Sequence, residues 1–146
     1  MNSNNDKAWH IITQVELGVP ANEVWEVVGG FFNLHQWHPD ISTTEVPADQ
    51  TAMSPLRRIL AFPGQPKTIE ELILMDNDKF QYRYKWYAGE WGEAVRNYVA
   101  EIRLFDLPES KHSSMQWSST FNHPTDAITE FYQNGFLELQ KRFPLE

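Results

Sequence analysis

The chain is 146 residues long, a length at which a single domain spanning 1–146 is expected. Hydrophobic residues make up 41% and aromatic ones 14%, enough to build an apolar interior, while the absence of cysteine excludes disulfides, a thiolate nucleophile and cysteine-ligated zinc. Twelve Lys+Arg against 20 Asp+Glu leave a formal charge of −8, which opposes partnership with nucleic acid or an anionic membrane.

Residues 1–7 are polar and read as a flexible lead-in without the apolar core of a secretory signal. No apolar run reaches the ~18 residues of a membrane span, so a cytoplasmic protein without membrane insertion is expected. From Trp9 to Leu17 the residues Trp9, Ile11, Val15 and Leu17 share one parity and Gln14 and Glu16 the other, which is strand periodicity blurred only by Ile12. Pro20 opens a short helix over Glu23 to Val28 that Gly29-Gly30 closes. A second short helical turn is expected from Asn33 to Trp37, stopped by Pro39.

Six strands follow in series up to Asn122, separated by Pro63-Gly64, Asp76-Asn77-Asp78, Gly89 to Gly92 and Pro108-Glu109-Ser110, and a meander of hairpins is their simplest connection. Phe80, Tyr82, Tyr84 and Trp86 form an almost wholly aromatic face opposite Gln81, Arg83 and Lys85. Tyr98, Ala100, Ile102 and Leu104 form a second such face, and Met115, Trp117, Ser119 and Phe121 a third. After Pro124 the period changes: Ala127, Ile128, Phe131, Tyr132, Gly135, Phe136 and Leu139 mark one long amphipathic helix that Pro144 stops. Asp126 near its start and Lys141-Arg142 near its end suit the macrodipole.

Several motifs share a wider likeness: Glu23-Val24-Trp25, Trp37-His38-Pro39, Arg58 with Leu60 and Phe62 before Pro63-Gly64, Glu70-Glu71-Leu72 to Asp76, Tyr82 and Tyr84, Asn97-Tyr98, and Trp117 to Phe121. In order and spacing they resemble the START-like polyketide cyclase/dehydrase family (SRPBCC, Bet v 1-like) over most of the chain. The resemblance implies an α+β helix-grip fold, with a curved antiparallel sheet of about seven strands around a long C-terminal helix and two short helices after the first strand. It implies a pocket more than a reaction, because such families hold aromatase/cyclases and hydrophobic-ligand binders alike.

Between sheet and helix the inward parity offers Tyr82, Tyr84, Trp86, Tyr98, Trp117, Phe131 and Phe136 as lining, rings with polar tips that suit a planar apolar ligand or simply fill the core. Arg58, in line with Leu56, Leu60 and Phe62, and Glu70, in line with Thr68, Leu72 and Leu74, both point inward and should pair with each other or with tyrosine hydroxyls. Either they form a structural ion pair, or Arg58 anchors a ligand carbonyl or carboxylate with Glu70 orienting it. An adjacent Arg would lower the Glu70 pKa, which disfavours Glu70 as a general base. His38 has the titration range of a general acid/base but more simply packs at an element end. His35, His38 and Asp40 mimic metal spacing, yet Pro39 breaks the helix that would converge them, so no metal is expected. His10, His112 and His123 fall on separate surface or loop segments.

With no G-x-S-x-G, P-loop or dinucleotide fingerprint, covalent hydrolysis and nucleotide cofactors drop out, and no cofactor is expected. The leading expectation is a binder of a small hydrophobic molecule, aromatic, polyketide-like or lipid-like, in which Trp117→Ala or Tyr84→Ala weakens binding and spares the fold. The alternatives are a cofactor-independent cyclase, dehydratase or aromatase using Arg58, Tyr98 or His38 to move protons, and an interaction module of the kind by which a related grip-fold family activates a chaperone. An exposed sheet edge could also support a homodimer.

Overall fold

The computed structural model describes residues 9–89, 97–122 and 126–145. The expectations for residues 1–7, for the Gly92 end of a turn, and for His123 and Pro124 lie outside the described residues.

Strand β1 (Trp9–Leu17) buries Thr13, Val15 and Leu17 on one face, and Ile12, the residue that blurred the alternation, is 59% exposed on the other. Helix α1 (Ala21–Val28) begins after Pro20, buries Ala21, Val24 and Val28, and its Ala21 N–H, which has no partner within the helix, donates to Asp106 Oδ1 at 2.9 Å. The expected second short helix is only a 3-10 turn, Leu34–Gln36. The Leu34 carbonyl accepts the N–H groups of Trp37 and His38, and the turn goes no further because Pro39 has no N–H to donate.

The remaining strands are β2 (Thr43–Glu45), β3 (Arg57–Ala61), β4 (Thr68–Asp76), β5 (Gln81–Gly89), β6 (Val99–Asp106) and β7 (Ser113–Phe121). They form one antiparallel sheet in the order β1-β7-β6-β5-β4-β3-β2, so that the first strand closes on the last, Trp9 opposite Phe121 and Leu17 opposite Ser113. Consecutive strands from β2 to β7 are joined as hairpins, as a meander requires. At the β4–β5 turn Asp76 Oδ1 accepts the N–H groups of Asp78 and Lys79, and Phe80 then takes a left-handed φ of 54°. Phe80 is thus a turn residue, one step before the aromatic strand it was expected to begin.

The β4–β5 register shifts twice, once at Tyr87, skipped between the Ile69–Ala88 and Glu70–Trp86 pairs, and once in β4 at Ile73. Leu72 pairs with Tyr84 and Leu74 with Arg83, so Ile73 is an extra residue bulged out of β4. Leu74, expected beside Glu70 on the inner face, is therefore turned out and 39% exposed, while Met75 takes the inward position opposite Tyr82. Leu56, expected in line with Arg58, precedes β3 and is 44% exposed.

Helix α2 (Asp126–Arg142) lays Ile128, Tyr132, Gly135, Phe136 and Leu139 against the inner face. Gly135 is required by close approach: a Cβ there would sit 2.8 Å from His38 Cδ2 and 3.1 Å from Trp37 Cζ3.

Candidate functional site

In the β3–β4 register Arg58 lies directly opposite Glu70, and both side chains face inward. Arg58 is wholly buried. Its Nε and one terminal nitrogen donate to the same Glu70 oxygen, Oε1, at 3.0 and 2.7 Å. The other terminal nitrogen donates to the Phe31 carbonyl at 2.8 Å and to the Tyr82 hydroxyl at 3.3 Å. The guanidinium also lies over the rings of Phe31 and Tyr84, 4.3 and 4.7 Å from their centroids. Burial disfavours its charge, but Tyr82 and Glu70 more than offset this and hold its pKa above the ordinary value.

Glu70 behaves contrary to expectation. Burial, which penalises the carboxylate, outweighs the attraction of Arg58, and its pKa is raised. Two of the Arg58 donors meet the carboxylate, both on Oε1, and this does not compensate for the burial of the group. Glu70 retains 8% exposure where Arg58 retains none. The open end of the ion pair is its acid.

Tyr82, Tyr84, Tyr98, Trp117 and Phe136 all face inward as expected, and all are buried against one another. Trp117 stacks on Tyr132 at 4.3 Å and 17°, and its Nε1 donates to the Tyr84 hydroxyl at 3.0 Å. The Tyr84 hydroxyl meets that of Tyr98 at 3.3 Å, and Tyr98 is bonded in turn to Tyr132. Burial raises the pKa of all three phenols, so they stay protonated near neutrality. These rings form the packed rear wall of the site.

The front is different. Trp86 and Phe131 are only half-buried, as are the neighbouring Phe62 and Leu72, and Phe131 lies 5.8 Å from Phe62. Trp86 stands opposite Glu70 across β4 and β5, and its indole N–H is buried without a hydrogen-bond acceptor.

His38, offered by the sequence either as a general acid/base or as packing at an element end, is 1% exposed. Its Nε2–H donates to the Phe131 carbonyl at 2.6 Å while Nδ1 accepts the Asp40 N–H at 3.1 Å, so both nitrogens are occupied and the neutral tautomer is fixed. Burial lowers its pKa, against the opposing effects of the Phe131 bond and Asp40. The ring stacks on Phe131 at 3.9 Å and 16°, so His38 sets the position of a front-wall residue. His35 is exposed, on the other side of the turn.

Three contributors were not read from the sequence. Phe31 acts through its backbone carbonyl, which no side-chain pattern reports. Tyr132 lies on the apolar stripe of α2, and its spacing from Ile128 and Phe136 marks it as buried without marking its hydroxyl contacts. Phe62 was read as a motif residue in line with the inward Arg58, but not as lining. Elsewhere His10, Arg83, Val99, Glu101, Ser118 and Thr120 help to line a shallow depression of about 230 Å³, where Arg83 is already paired with Glu101 at 2.8 Å.

Residues 8–142 match the family model described as polyketide cyclase / dehydrase and lipid transport. The chain is similar to the protein XoxI from Bacillus cereus, with 26% identity over 92% of this chain and 94% of that one and a TM-score of 0.80. The fold is also that of a ginseng major latex-like protein from Panax ginseng, 12% identical over 93% and 97% of the two chains with a TM-score of 0.76. It is likewise that of the Zhui aromatase/cyclase from a Streptomyces species, 14% identical over 93% of each with a TM-score of 0.73. Among the described residues no helix is long and apolar enough to cross a membrane.

Proposed function

Since the chain belongs to the polyketide cyclase / dehydrase and lipid transport family, we propose that it binds a small, largely apolar molecule of aromatic or polyketide-like shape between the sheet and α2. The observation that carries this reading is that Trp86, Phe131, Phe62 and Leu72 stay only half-buried beside the packed wall, on the inner side of a sheet that also carries the buried Arg58–Glu70 pair. Flat rings beside one convergent polar group are how small-molecule sites are lined. The packed wall from Tyr82 to Phe136 supports the site from behind and fixes its shape.

Titration with the neutral dye N-phenyl-1-naphthylamine tests this. A saturable 1:1 rise in dye fluorescence, weakened by Trp86→Ala and Phe131→Ala, is expected. A linear, unsaturable response in the folded wild-type protein refutes the reading.

One observation favours a second reading, catalysis of a cyclisation or dehydration without a cofactor. Glu70 carries a raised pKa on a partly open carboxyl, the state a proton-transferring acid or base needs. His38, Arg58 and Tyr98 are less suited to that task, because each has its polar atoms committed to protein partners. Under this reading Glu70→Gln retains dye binding and loses turnover of a polyketone substrate. Retention of turnover removes it.

A further inference from the structure

We propose that His38 is an acid-sensitive latch between the turn of residues 37–40 and helix α2: a proton taken up at Nδ1 displaces the Asp40 N–H and loosens the turn from α2. The latch stands on the contacts below alone. Its use, faster release of a bound molecule in mild acid, rests on the ligand-binding reading above.

Two hydrogen bonds tie the turn to α2. His38 Nε2–H donates to the Phe131 carbonyl at 2.6 Å, and the Asn134 side-chain amide donates to Asp40 Oδ2 at 2.9 Å. Phe131 and Asn134 are neighbours at i, i+3 spacing, so both ties grip the same stretch of α2. In a regular helix the Phe131 carbonyl is also the acceptor of the Gly135 N–H. Contact between ring and helix is close: His38 stacks on Phe131 at 3.9 Å, and a Cβ on Gly135 would stand 2.8 Å from His38 Cδ2. The ring also meets Trp117 of β7 edge-on at 6.0 Å. A ring so enclosed cannot shift without moving the helix against it.

Only one protonation state satisfies both neighbours. Nε2 donates while Nδ1 accepts the Asp40 N–H at 3.1 Å, which is the neutral imidazole with its proton on Nε2. A proton on Nδ1 sets two donors against each other, and the Asp40 N–H cannot turn away without rotating the planar 39–40 peptide. The bond to Phe131 survives, since an imidazolium still donates from Nε2. The change therefore falls on the turn, where the Asp40 carboxylate, which favours the charged ring, offers the new N–H an acceptor. Taking up that bond moves Asp40 and disturbs its bond to Asn134. Among the described residues packed on the ring from other elements, α2 brings the Phe131 carbonyl and Gly135 and β7 brings Trp117, none of them titratable. Tyr132, stacked on Trp117, stays protonated, while Glu130 and His35 are exposed. Burial lowers the His38 pKa more than Asp40 and the Phe131 bond raise it, so the latch is shut at neutral pH and opens in acid.

Imidazole ¹⁵N resonances of the labelled full chain, followed from pH 7.5 to 5 with His38 identified by its loss in His38→Gln, test the latch together with amide hydrogen exchange along α2. The Nε2–H form is expected at pH 7.5, with a protonation midpoint below 6.5. Across that midpoint the protection of Asn134 and Gly135, corrected for the intrinsic pH dependence of exchange, should fall at least ~threefold. His38→Gln, whose amide donates and accepts without titrating, should lose that fall. Where His38→Gln does not fold, Asp40→Asn removes the charge and keeps the backbone N–H, and both the midpoint and the loss of protection should move to lower pH. A midpoint at or above 6.5, an Nδ1–H form at pH 7.5, or a titration that leaves α2 protection unchanged overturns the proposal. So does unfolding of the whole chain before His38 takes up its proton. Release is read separately: N-phenyl-1-naphthylamine should dissociate at least ~threefold faster at pH 5 than at pH 7.5 from the wild type, and equally at both from His38→Gln. Equal rates in the wild type refute that use. If the dye does not bind at all, the ligand-binding reading falls, and titration and exchange alone decide the latch.

Discussion

Replacing Arg58 by Met should be among the most damaging single changes in the chain. The variant removes four hydrogen bonds at once, and the groups left behind cannot be rehydrated in place: Glu70 is 8% exposed, and the Phe31 carbonyl loses its Arg58 donor. Breaking a buried ion pair from one side costs about 3–5 kcal/mol, because a charge remains without its partner. Urea unfolding followed by tryptophan fluorescence should read this as a midpoint lowered by more than ~1 M at a slope of about 1–3 kcal/mol per M. Acid should reduce the deficit. Glu70 already has a raised pKa, and without Arg58 the influences that oppose the rise disappear. A raised carboxyl favours the folded state most below its unfolded pKa and loses that contribution as pH rises through the folded value, so the variant should recover toward pH 5. Arg58→Met combined with Glu70→Leu should regain at least ~2 kcal/mol over the single variant, since an apolar pair of similar volume removes the orphaned charge. A loss below about 1 kcal/mol for Arg58→Met, or a double variant as unstable as the sum of the singles, would refute this account of the pair.

Three further outcomes follow from the packing. Trp117→Ala should destabilise the fold by about 3–5 kcal/mol in thermal or urea melts, because the ring is wholly buried and stacked on Tyr132; this corrects the expectation that it would spare the fold, and near-wild-type stability would contradict the packed rear wall. His38 has a lowered pKa, so its contribution is present above the unfolded value of 6.5 and is lost as pH falls. The unfolding free energy from urea melts should therefore fall between pH 7 and 5.5 more steeply in the wild type than in His38→Gln, by up to ~1.4 kcal/mol per pH unit, and parallel profiles would remove that role. Gly135→Ala should lose about 1–3 kcal/mol by calorimetry despite the better helix propensity of Ala, because its Cβ would press on His38 and Trp37; a stabilised variant would show that α2 has room to move.

Alternation and helical spacing were enough to read the strands, the long helix and the inward pairing of Arg58 with Glu70, because burial on one face imposes a period that side chains must obey. The readings failed where the backbone departs from regularity. Ile73 adds one residue to β4, and everything beyond it on that strand changes face, so Leu74 turns out and Met75 in. Bulges carry no reliable side-chain signature. The direction of the Glu70 shift was also misjudged: sequence indicates that a guanidinium is near, but not that burial of the carboxyl outweighs it. Aromatic parity likewise gave the right face for Tyr84, Tyr98 and Trp117 without showing that their hydroxyl and indole groups satisfy one another and close the space between them.

The sheet order has a temporal consequence. β1 pairs with β7, and the Thr13 hydroxyl donates to the Trp117 carbonyl across 104 positions of sequence. During synthesis at about 5–20 residues per second, the first strand waits roughly 5–20 s for its partner to be made. Chains arrested on the ribosome before Ser113 should remain protease-sensitive however complete their hairpins are. Until the final strand emerges, the nascent chain presents an open edge made of its own beginning, and that interval is when a holdase chaperone has most to offer it.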